Sequence, residues 1–400
     1  MKRILYLTHY DNMYGANRAL LDLVLGVKAS GEYEPVVVIP AEGDFTDILK
    51  SKGIDFFICG ITQWQAVFRE PVSFALKKRK RLAAIARETD ILYEHFKDAG
   101  IDIIHSNSCV IGTGALLAER LGCAHIWHIR EFAREHYGMR YFYPGDRVSK
   151  LYGKAKCLIA ISDAVSDNCK KKYPDAKVIR VYDGVAADKK VPEEETENKK
   201  AAETETSDKE DHKRSDREKT EFLYTGYLFP AKHQLDVIKA AALLKKKNKT
   251  DFHITFAGDG DPAYRKKLET CIRKNGLEDN VTISGFVKDV KRLLAEADVG
   301  IIASEYEGFG LVTVEYMLAG LPVIGRRSGA TPEIVSDGES GILYDDINGL
   351  ADAMNRLMDD KKLAGEMGVK GEKRAKALFT DTDNLTQIMQ VYDNGNKEKD

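Results

Sequence analysis

The sequence has 400 residues, more than one ordinary hydrophobic core holds, and this length predicts two domains of similar size. Its 43% hydrophobic and 31% charged residues are typical of a soluble globular protein. A net charge of −2 provides no general attraction to nucleic acid, so we expect no nucleic-acid partner.

The six cysteines lack a CxxC pair, which argues against a zinc site and fits reduced thiols. The N-terminal "MKRILYLTHY" is basic and then apolar, but its apolar run is too short for a signal peptide. No apolar window reaches the ~20 residues that a membrane-spanning helix needs. These features together predict a cytoplasmic protein.

In the first half, residues 1–187, short β-rich runs alternate with helical patterns. Strands are predicted at 3–8, 35–39, 55–59, 101–106, 124–129, 157–162 and 177–182, and helices at 16–29, 77–99, 112–121 and 163–172. Nearly continuous apolar strands with helical crossovers indicate a parallel sheet covered on both faces. We expect one doubly wound α/β domain here.

The alternation stops at 188–220, where the sequence is highly charged and Val191 is the one bulky apolar residue. Such a segment buries too little surface to offset its ordering entropy, which predicts a linker or a mobile loop. A regulatory or partner-binding role is the alternative.

A second α/β domain is predicted at 221–378. Its strands are expected at 221–226, 252–258, 281–286, 298–304, 321–325 and 341–344, and its helices at 234–247, 262–275, 311–319, 348–358 and 361–378. The C-terminal segment 379–400 contains a further helix that we expect to return to the first domain. Because ligands bind beyond the carboxyl ends of parallel strands, two such domains facing each other would form a cleft.

The stretch "SEYEGFGLVTVEYMLAG", from Ser304 to Gly320, runs from a predicted strand through glycines into an amphipathic helix. Gly308 and Gly310 allow close approach of a ligand, and the first helical amides form an anion site. Glu307 and Glu315 offer carboxylates to hydroxyl groups of that ligand. The alternative is that Glu307 caps the helix and Glu315 is merely solvated.

This stretch closely resembles the E-x7-E motif of the retaining, nucleotide-sugar-dependent glycosyltransferases of family 4, which have the GT-B fold. Other segments resemble that family in the same order: "TGYLFPAKHQLDVIKAAALL" (225–244), "FAGDGDPAYRKKLE" (256–269), "VTISGFV" (281–287) and "GATPEIVSDGESGILY" (329–344). The resemblance implies two Rossmann-like domains facing across a cleft, the first for the acceptor and the second for the donor.

The resemblance also implies roles for individual residues. Lys232 would bind the donor diphosphate, Glu307 the sugar and Glu315 the ribose. The base would lie on Gly285, Phe286 and Val287, and the phosphates on Gly308, Phe309, Gly310, Leu311 and Val312.

The first half resembles the family more loosely. "YGANRAL" (14–20) lies where the family has a glycine-rich loop, which implies that Gly15 and Arg18 face the donor. "WHIREF" (127–132) resembles the segment whose histidine lies beside the donor sugar, so His128 is a candidate catalytic residue with Lys232 and Glu307. Arg130 and Glu131 are expected on the acceptor side. The alternative for His128 is an ordinary buried polar residue at a strand end.

Two positions depart from the family pattern. Tyr227 stands where the family usually has arginine, and His233 replaces the glycine that commonly follows the lysine. Arg326 and Arg327 are candidates for the missing charge, or a solvated pair. The "DGD" at 259–261 matches a manganese-binding pattern of another transferase fold, but it falls on the family's glycine turn, so we expect no metal and no cofactor.

The segment 63–88 combines aromatic residues with a Lys/Arg cluster at 77–81. It predicts peripheral contact with the inner face of the membrane and a lipid-linked acceptor, or alternatively a solvated helix with buried aromatics.

The expected function is retaining hexosyl transfer from a UDP- or GDP-sugar to a hydroxyl of a carbohydrate or lipid-linked acceptor, in cell-surface polysaccharide or glycolipid synthesis. A non-catalytic nucleotide-sugar-binding subunit is the main alternative, and a membrane-surface scaffold is a third. A dinucleotide oxidoreductase is disfavoured because no GxGxxG follows the first strand.

Overall fold

We describe the protein from a computed structural model, at residues 1–13, 15–68, 71–185, 218–287 and 290–393. The side chains of His136 and Tyr137 lie outside this description, and so does the predicted charged linker apart from 218–220. The chain divides into two units. The first comprises Met1–Gly184, Tyr306–Phe309 and Asp381–Asp400, and the second comprises Val185–Glu305 and Gly310–Thr380.

The first unit contains a seven-stranded sheet in which every neighbouring pair is parallel. Its strands are β1 Lys2–Leu7, β2 Tyr33–Ile39, β3 Asp55–Ile58, β5 Ile101–Asn107, β6 Ala124–Ile129, β8 Cys157–Ala160 and β9 Val178–Arg180. Their order in the sheet is β3-β2-β1-β5-β6-β8-β9. A separate antiparallel pair joins β4, Gln65–Val67, to β7, Met139–Tyr141.

Eight helices of the described residues belong to the first unit. They are α1 Gly15–Ser30, α2 Asp44–Ser51, α3 Pro71–Phe96, α4 Thr113–Leu121, α5 Ala133–Tyr137, α6 Gly145–Lys154, α7 Asp163–Lys172 and, at the end of the chain, α15 Asp381–Asp393. Ile388, Val391 and Tyr392 of α15 are buried in the same core as Ile4 and Val37 of the sheet. The C-terminal helix is thus part of the first unit's core.

The second unit contains a six-stranded sheet with the order β12-β11-β10-β13-β14-β15, again with parallel neighbours throughout. Its strands are β10 Thr220–Thr225, β11 Phe252–Ala257, β12 Val281–Gly285, β13 Val299–Ile302, β14 Val323–Arg326 and β15 Gly341–Tyr344. Its helices are α8 Gln234–Lys246, α9 Pro262–Lys274, α10 Val290–Glu296, α11 Leu311–Leu318, α12 Thr331–Ile334, α13 Ile347–Asp359 and α14 Lys361–Leu378, with a 3₁₀ helix at Pro230–Lys232.

The apolar strand runs are buried as their composition predicts. Val37, Val38 and Ile39 of β2 are inaccessible to solvent, and every residue of β13 is buried. Parallel strands read as continuous apolar runs because helices cover both faces of such a sheet. The structure confirms the predicted class of two doubly wound α/β sheets.

Each sheet has a point where the strand order reverses. In the first unit it lies between β1 and β5, and in the second between β10 and β13. At a reversal the crossovers leave in opposite directions, which opens a crevice at the carboxyl ends of the two strands. The loops that follow β1, β5, β10 and β13 are therefore the places to look for a ligand site.

Candidate functional site

In the first unit, polar side chains cluster at the carboxyl ends of β5 and β6. Asn107 is the last residue of β5 and pairs in register with His128, the penultimate residue of β6. Ser108, which follows β5, has a φ angle of 150°, a conformation that residues other than glycine rarely adopt. Backbone strain of this kind is often found at functional sites.

Arg130 forms a buried ion pair with Asp183. Its Nη1 lies 2.6 Å from Oδ1 and 2.5 Å from Oδ2 of the carboxylate, and its Nε donates to Oδ1 of Asn107 at 2.6 Å. The side chains of Arg130 and Asp183 are only 6% and 5% exposed. Arg130, predicted on the acceptor side, is therefore committed to contacts within the protein.

The loop after β1 is attached to the same cluster. Asn107 donates to the backbone oxygen of Ala16 at 3.0 Å, within the first turn of α1. Gly15 begins this helix, and both Gly15 and Arg18 are exposed. Asn17 is buried and donates to the backbone oxygens of Tyr10 and Asn12, which fixes the loop that leads to Gly15.

His128 is fully buried. Its Nδ1 lies 3.2 Å from Nε2 of His105 and 3.4 Å from Nη2 of Arg130. Its Nε2 has no hydrogen-bond partner among the described residues, with Oδ1 of Asp183 at 3.8 Å. Burial, reinforced by the Arg130 charge, holds the pKa of His128 well below its ordinary value, so the imidazole is neutral.

Glu131, the residue after Arg130, lies elsewhere, on the wall of a cavity of about 530 Å³. Its Oε1 accepts hydrogen bonds from the Ser108 hydroxyl and, at 2.9 Å, from the backbone N–H of Cys109. The cavity is also lined by Tyr141 and Tyr173, whose hydroxyls lie 2.8 Å apart. Aromatic faces and hydroxyl groups of this kind suit a small polyhydroxylated molecule.

In the second unit, the turn after β10 contains both departures from the family pattern. Tyr227 is 53% exposed, and its backbone oxygen accepts from the buried Gln234 amide at 3.0 Å. Lys232 ends the 3₁₀ helix, and its backbone oxygen accepts from the Tyr224 hydroxyl at 2.6 Å. His233 follows with φ 55° and ψ 29°, so a histidine adopts the left-handed conformation that glycine would adopt without strain.

Arg326 and Arg327 occupy different environments. Arg326 lies beside the Lys232–His233 turn: its Nη1 is 3.3 Å from Nδ1 of His233 and 3.8 Å from Oδ2 of Asp236. Arg327 instead contacts Asp337 at 2.6 Å, on an exposed surface. Only Arg326 of the two therefore contributes positive charge near the turn.

Arg326 and Asp236 also line a cavity of about 350 Å³ in the second unit. The Tyr344 hydroxyl on its wall is buried and has no hydrogen-bond partner in the described parts of the chain. Burial raises the pKa of this phenol, so the hydroxyl keeps its proton and remains a donor. Asp345 and Asp346 line the same cavity, so its carboxylates outnumber its one cation and the lining does not by itself select an anionic ligand.

The E-x7-E stretch is divided between the two units, since Tyr306–Phe309 belongs to the first unit and the second unit resumes at Gly310. Gly310 caps helix α11 with a φ of 91°, and the helix begins at Leu311. The N–H groups of Leu311 and Val312 precede the first hydrogen bonds within the helix and are available to an anion. Glu315 is half-buried on the same helix.

Glu307, Gly308 and Phe309 group with the first unit. Glu307 is half-buried, whereas Gly308 and Phe309 are buried. A Cβ atom on Gly308 would lie 2.4 Å from the backbone oxygen of Arg130, so only glycine fits there. The ring of Phe309 packs 5.8 Å from that of Tyr182.

The predicted base-binding residues lie at the end of β12. Gly285 ends the strand, Phe286 is 72% exposed, and Val287 is half-buried. The backbone N–H of Phe286 donates to Oδ1 of Asp259 at 3.2 Å, which fixes the loop and presents the aromatic ring to solvent.

Both carboxylates of the "DGD" sequence have structural partners. Asp259 accepts from Phe286, and Asp261 caps α9 by accepting from the backbone N–H of Tyr264 at 2.8 Å. Within the described ranges, no group of three or more His, Cys, Asp or Glu side chains is placed to bind a metal. Likewise, none of the helices described is long and apolar enough to cross a membrane.

Sequence reasoning missed several residues of these clusters: His105, Asn107, Ser108, Asp183 and Asp236. It also missed Tyr392, whose hydroxyl lies 2.8 Å from Nδ1 of His105. One signal was present, because "IDIIHSNS" ends in four consecutive polar residues after a largely apolar run. The sequence does not show that Asp183, 53 positions after Arg130, neutralises it.

Comparisons with known proteins match both halves of the chain. The family described as Glycosyltransferase Family 4 matches residues 13–189, and the one described as Glycosyl transferases group 1 matches residues 204–374. The matches together extend over most of both units.

Curated relatives match a shorter part of the chain. N-acetyl-alpha-D-glucosaminyl L-malate synthase of Bacillus anthracis is 33% identical over 159 residues, 39% of this chain and 41% of the relative. D-inositol 3-phosphate glycosyltransferase of Arthrobacter sp. is 32% identical over 165 residues, 40% of this chain and 38% of the relative. The matched stretch thus spans about two fifths of these relatives.

Solved structures match along nearly the whole chain. The crystal structure of Anabaena Alr3699/HepE in complex with UDP-glucose superposes with a TM-score of 0.76 at 21% identity, covering 98% of this chain and 100% of that one. At this identity the likeness concerns the fold, which is the GT-B fold. The chain belongs to the family 4, group 1 glycosyltransferases.

Proposed function

We propose that this protein is a retaining glycosyltransferase that transfers a sugar from a UDP- or GDP-sugar to a hydroxyl group of a carbohydrate or lipid-linked acceptor. The observation that carries the proposal is the E-x7-E stretch, in which a glycine-capped helix begins between two half-buried glutamates. Two relatives, named N-acetyl-alpha-D-glucosaminyl L-malate synthase and D-inositol 3-phosphate glycosyltransferase, and the similar fold solved with UDP-glucose support it.

The second unit is proposed to bind the donor. The departing nucleoside diphosphate gains negative charge, which preorganised positive groups stabilise without reorganising. We assign this role to Lys232, to Arg326 and to the amides of Leu311 and Val312. Because Arg326 lies 3.3 Å from His233, it can supply the charge that the family's missing arginine would bring at position 227.

Other contacts to the donor are assigned from the resemblance to the family's motifs. We assign Glu315 to the ribose hydroxyls, Glu307 to the sugar hydroxyls and the exposed ring of Phe286 to one face of the base. In the reaction, the acceptor oxygen bonds to the anomeric carbon as the bond from that carbon to the phosphate oxygen breaks. The departing phosphate oxygen takes the acceptor's proton on the same face, and the anomeric configuration is retained.

The first unit is proposed to bind the acceptor, in the cavity lined by Glu131, Tyr141 and Tyr173. The aromatic faces pack against the C–H face of a sugar ring, and the hydroxyls and Glu131 offer hydrogen bonds to its hydroxyl groups. A polyhydroxylated acceptor suits this lining better than a purely apolar one.

The test begins with UDP-, GDP- and ADP-sugars in a thermal-shift assay. A specific nucleotide at 100 times its Kd stabilises the folded state by about 2.7 kcal/mol. Hits are then assayed for hydrolysis and for transfer to simple glycosides, with the product's anomeric configuration read by NMR. Binding without turnover in a well-folded sample would favour the alternative, a non-catalytic nucleotide-sugar-binding subunit, which the Tyr227 departure suggests.

Paired variants test the residue assignments. We expect Glu315→Ala to weaken nucleotide binding and Glu307→Ala mainly to lower turnover. We expect Arg326→Ala to weaken UDP binding by about tenfold, as the loss of a charge-assisted contact implies, and Arg327→Ala to leave it unchanged. Equal effects of the two arginine variants on UDP affinity would show that Arg326 does not bind the nucleotide.

We also propose peripheral contact with an anionic membrane through α3. Residues 77–81 are all exposed, and Val72 and Leu76 beside them are 73% and 74% exposed, whereas Trp64 is buried. Basic side chains contribute about 1 kcal/mol each near an anionic surface. Changing 77–81 to glutamine should abolish cosedimentation with phosphatidylserine vesicles, while changing Lys245 and Lys246 of α8 should not. Equal cosedimentation of the two variants with the vesicles would contradict a membrane contact through α3.

A further inference from the structure

A chain of buried hydrogen bonds connects α15 to His128 inside the first unit. The hydroxyl of Tyr6 lies 3.1 Å from that of Tyr392, which in turn lies 2.8 Å from Nδ1 of His105. Nε2 of His105 lies 3.2 Å from Nδ1 of His128. Tyr6, His105 and His128 are inaccessible to solvent and Tyr392 is 1% exposed. Each hydrogen bond in the chain has two possible directions, because every atom in it can donate or accept.

Arg130 determines the direction. Both imidazoles are neutral, because burial lowers the pKa of His105 to about 3 and the pKa of His128 well below its ordinary value. One nitrogen of a neutral imidazole donates and the other accepts. Nδ1 of His128 faces Nη2 of Arg130 at 3.4 Å, and a guanidinium only donates. Nδ1 is therefore the accepting nitrogen of His128.

The other directions follow from that one. His105 donates from Nε2 to His128, so its own Nδ1 accepts from the Tyr392 hydroxyl, and Tyr392 accepts from Tyr6. The proton of His128 is then on Nε2, the nitrogen that has no hydrogen-bond partner in the described part of the chain. Oδ1 of Asp183, at 3.8 Å, is beyond hydrogen-bond distance. His128 thus carries a buried N–H group that a bound oxygen atom would satisfy.

We propose that His105 and Tyr392 are positioning residues that, together with Arg130, hold His128 as the Nε2–H tautomer, which makes it a hydrogen-bond donor to an oxygen of the bound ligand. The identity of that ligand as a nucleotide-sugar rests on the proposed function, whereas the tautomer does not. Helix α15 then contributes to the site through His105. The opposite tautomer would direct a second N–H at the guanidinium and offer the ligand a lone pair instead.

The tautomer is measured directly by NMR on the full-length protein labelled with ¹⁵N-histidine. Long-range ¹H–¹⁵N spectra distinguish a protonated from a bare ring nitrogen and identify which nitrogen is which by its couplings to the ring protons. The spectra of His128→Gln and His105→Gln assign the two rings by the signals they lose. We expect both rings to be protonated at Nε2. A proton on Nδ1 of His128 would overturn the proposal whether or not the protein has activity.

A second set of variants tests the relay. Tyr392→Phe keeps the ring but removes the donor to Nδ1 of His105. Because His105 still donates from Nε2 to His128, we expect its Nε2–H tautomer to persist with a shifted Nδ1 resonance. His105→Leu should lower kcat for donor turnover about fivefold, the loss of roughly one hydrogen bond, with little change in nucleotide KM. His105→Gln can donate to His128 and accept from Tyr392, so it should restore most of the rate. Equal rates for the Leu and Gln variants, both folded by tryptophan fluorescence, would refute the relay.

Discussion

The buried ion pair between Arg130 and Asp183 allows a sharp stability prediction. Asp183→Ala leaves a guanidinium that is 6% exposed without its carboxylate, and the two contacts to the carboxylate oxygens are 2.6 and 2.5 Å long. Removing one partner of a buried pair costs about 3–5 kcal/mol, because the remaining charge stays desolvated and uncompensated. We therefore expect the free energy of unfolding of the first unit to fall by about that amount.

Urea unfolding followed by tryptophan fluorescence measures this unit selectively, because the protein's two tryptophans, Trp64 and Trp127, both lie in it. Asp167→Ala is the matched control: its exposed (i, i+3) pair with Lys170, in the same unit, should be worth about 0.2–0.5 kcal/mol. Arg130→Met combined with Asp183→Leu should recover part of the loss, since neither charge remains. A loss below about 1 kcal/mol for Asp183→Ala with an unchanged m-value would refute the reasoning.

Three further predictions concern pH and backbone. Four histidines, three of them buried and one half-buried, have lowered pKa values in the folded state. Below the ordinary histidine pKa of about 6.5, the unfolded state therefore binds more protons than the folded state. These histidines are His9, His105, His125 and His128. The stability that these neutral histidines contribute is thus fully present above that pH. On acidification, the free energy of unfolding should fall by up to about 1.4 kcal/mol per pH unit for each histidine. A urea midpoint that does not move between pH 7.5 and 5 would contradict this. Gly308→Ala should cost about 1–3 kcal/mol by its clash with the Arg130 carbonyl, measured by the same tryptophan fluorescence. Gly365→Ala, on an open face of α14 in the second unit, should stabilise that unit by about 0.5–1 kcal/mol in urea unfolding followed by circular dichroism, which reports both units. The His233→Gly variant should be about 1 kcal/mol more stable than the His233→Ala variant. Both lose the imidazole ring, but only glycine adopts the left-handed backbone without strain. Equal stabilities of the two variants in denaturant titrations would show that this backbone carries no strain.

The thirteen strands of the two parallel sheets were predictable because burial on both faces selects long apolar runs, and turn residues punctuate them. The short helices and strands were not predictable from the sequence. Strands β4 and β7 have three residues each, too few for a period-2 pattern to be distinguished from chance. Five helices were also missed, and most of them are short: α2, α5, α6, α10 and α12 have eight, five, ten, seven and four residues.

The candidate site was predictable where one continuous segment carries it. The glycine-capped helix at Gly310 and the turn at Lys232 both follow from local sequence. The cluster around Arg130 depends instead on strand register and on which side chains share a buried face, because Asn107 meets His128 through the pairing of β5 with β6. Register and the direction of side chains beyond a strand end are tertiary properties, so Asp183 and Tyr392 gave no signal of their involvement.

The burial of α15 in the first unit's core has a consequence for how the chain is made. Tyr6 and Tyr392, whose hydroxyls meet in this core, are separated by 386 positions, so the contact closes almost the entire chain into a loop. On the ribosome, where domains generally fold in order of synthesis, the first unit cannot complete its core until the second has been synthesised. Until then, the core of the N-terminal half lacks Ile388, Val391 and Tyr392 and stays incompletely packed. During synthesis, the second unit is the one free to finish folding first.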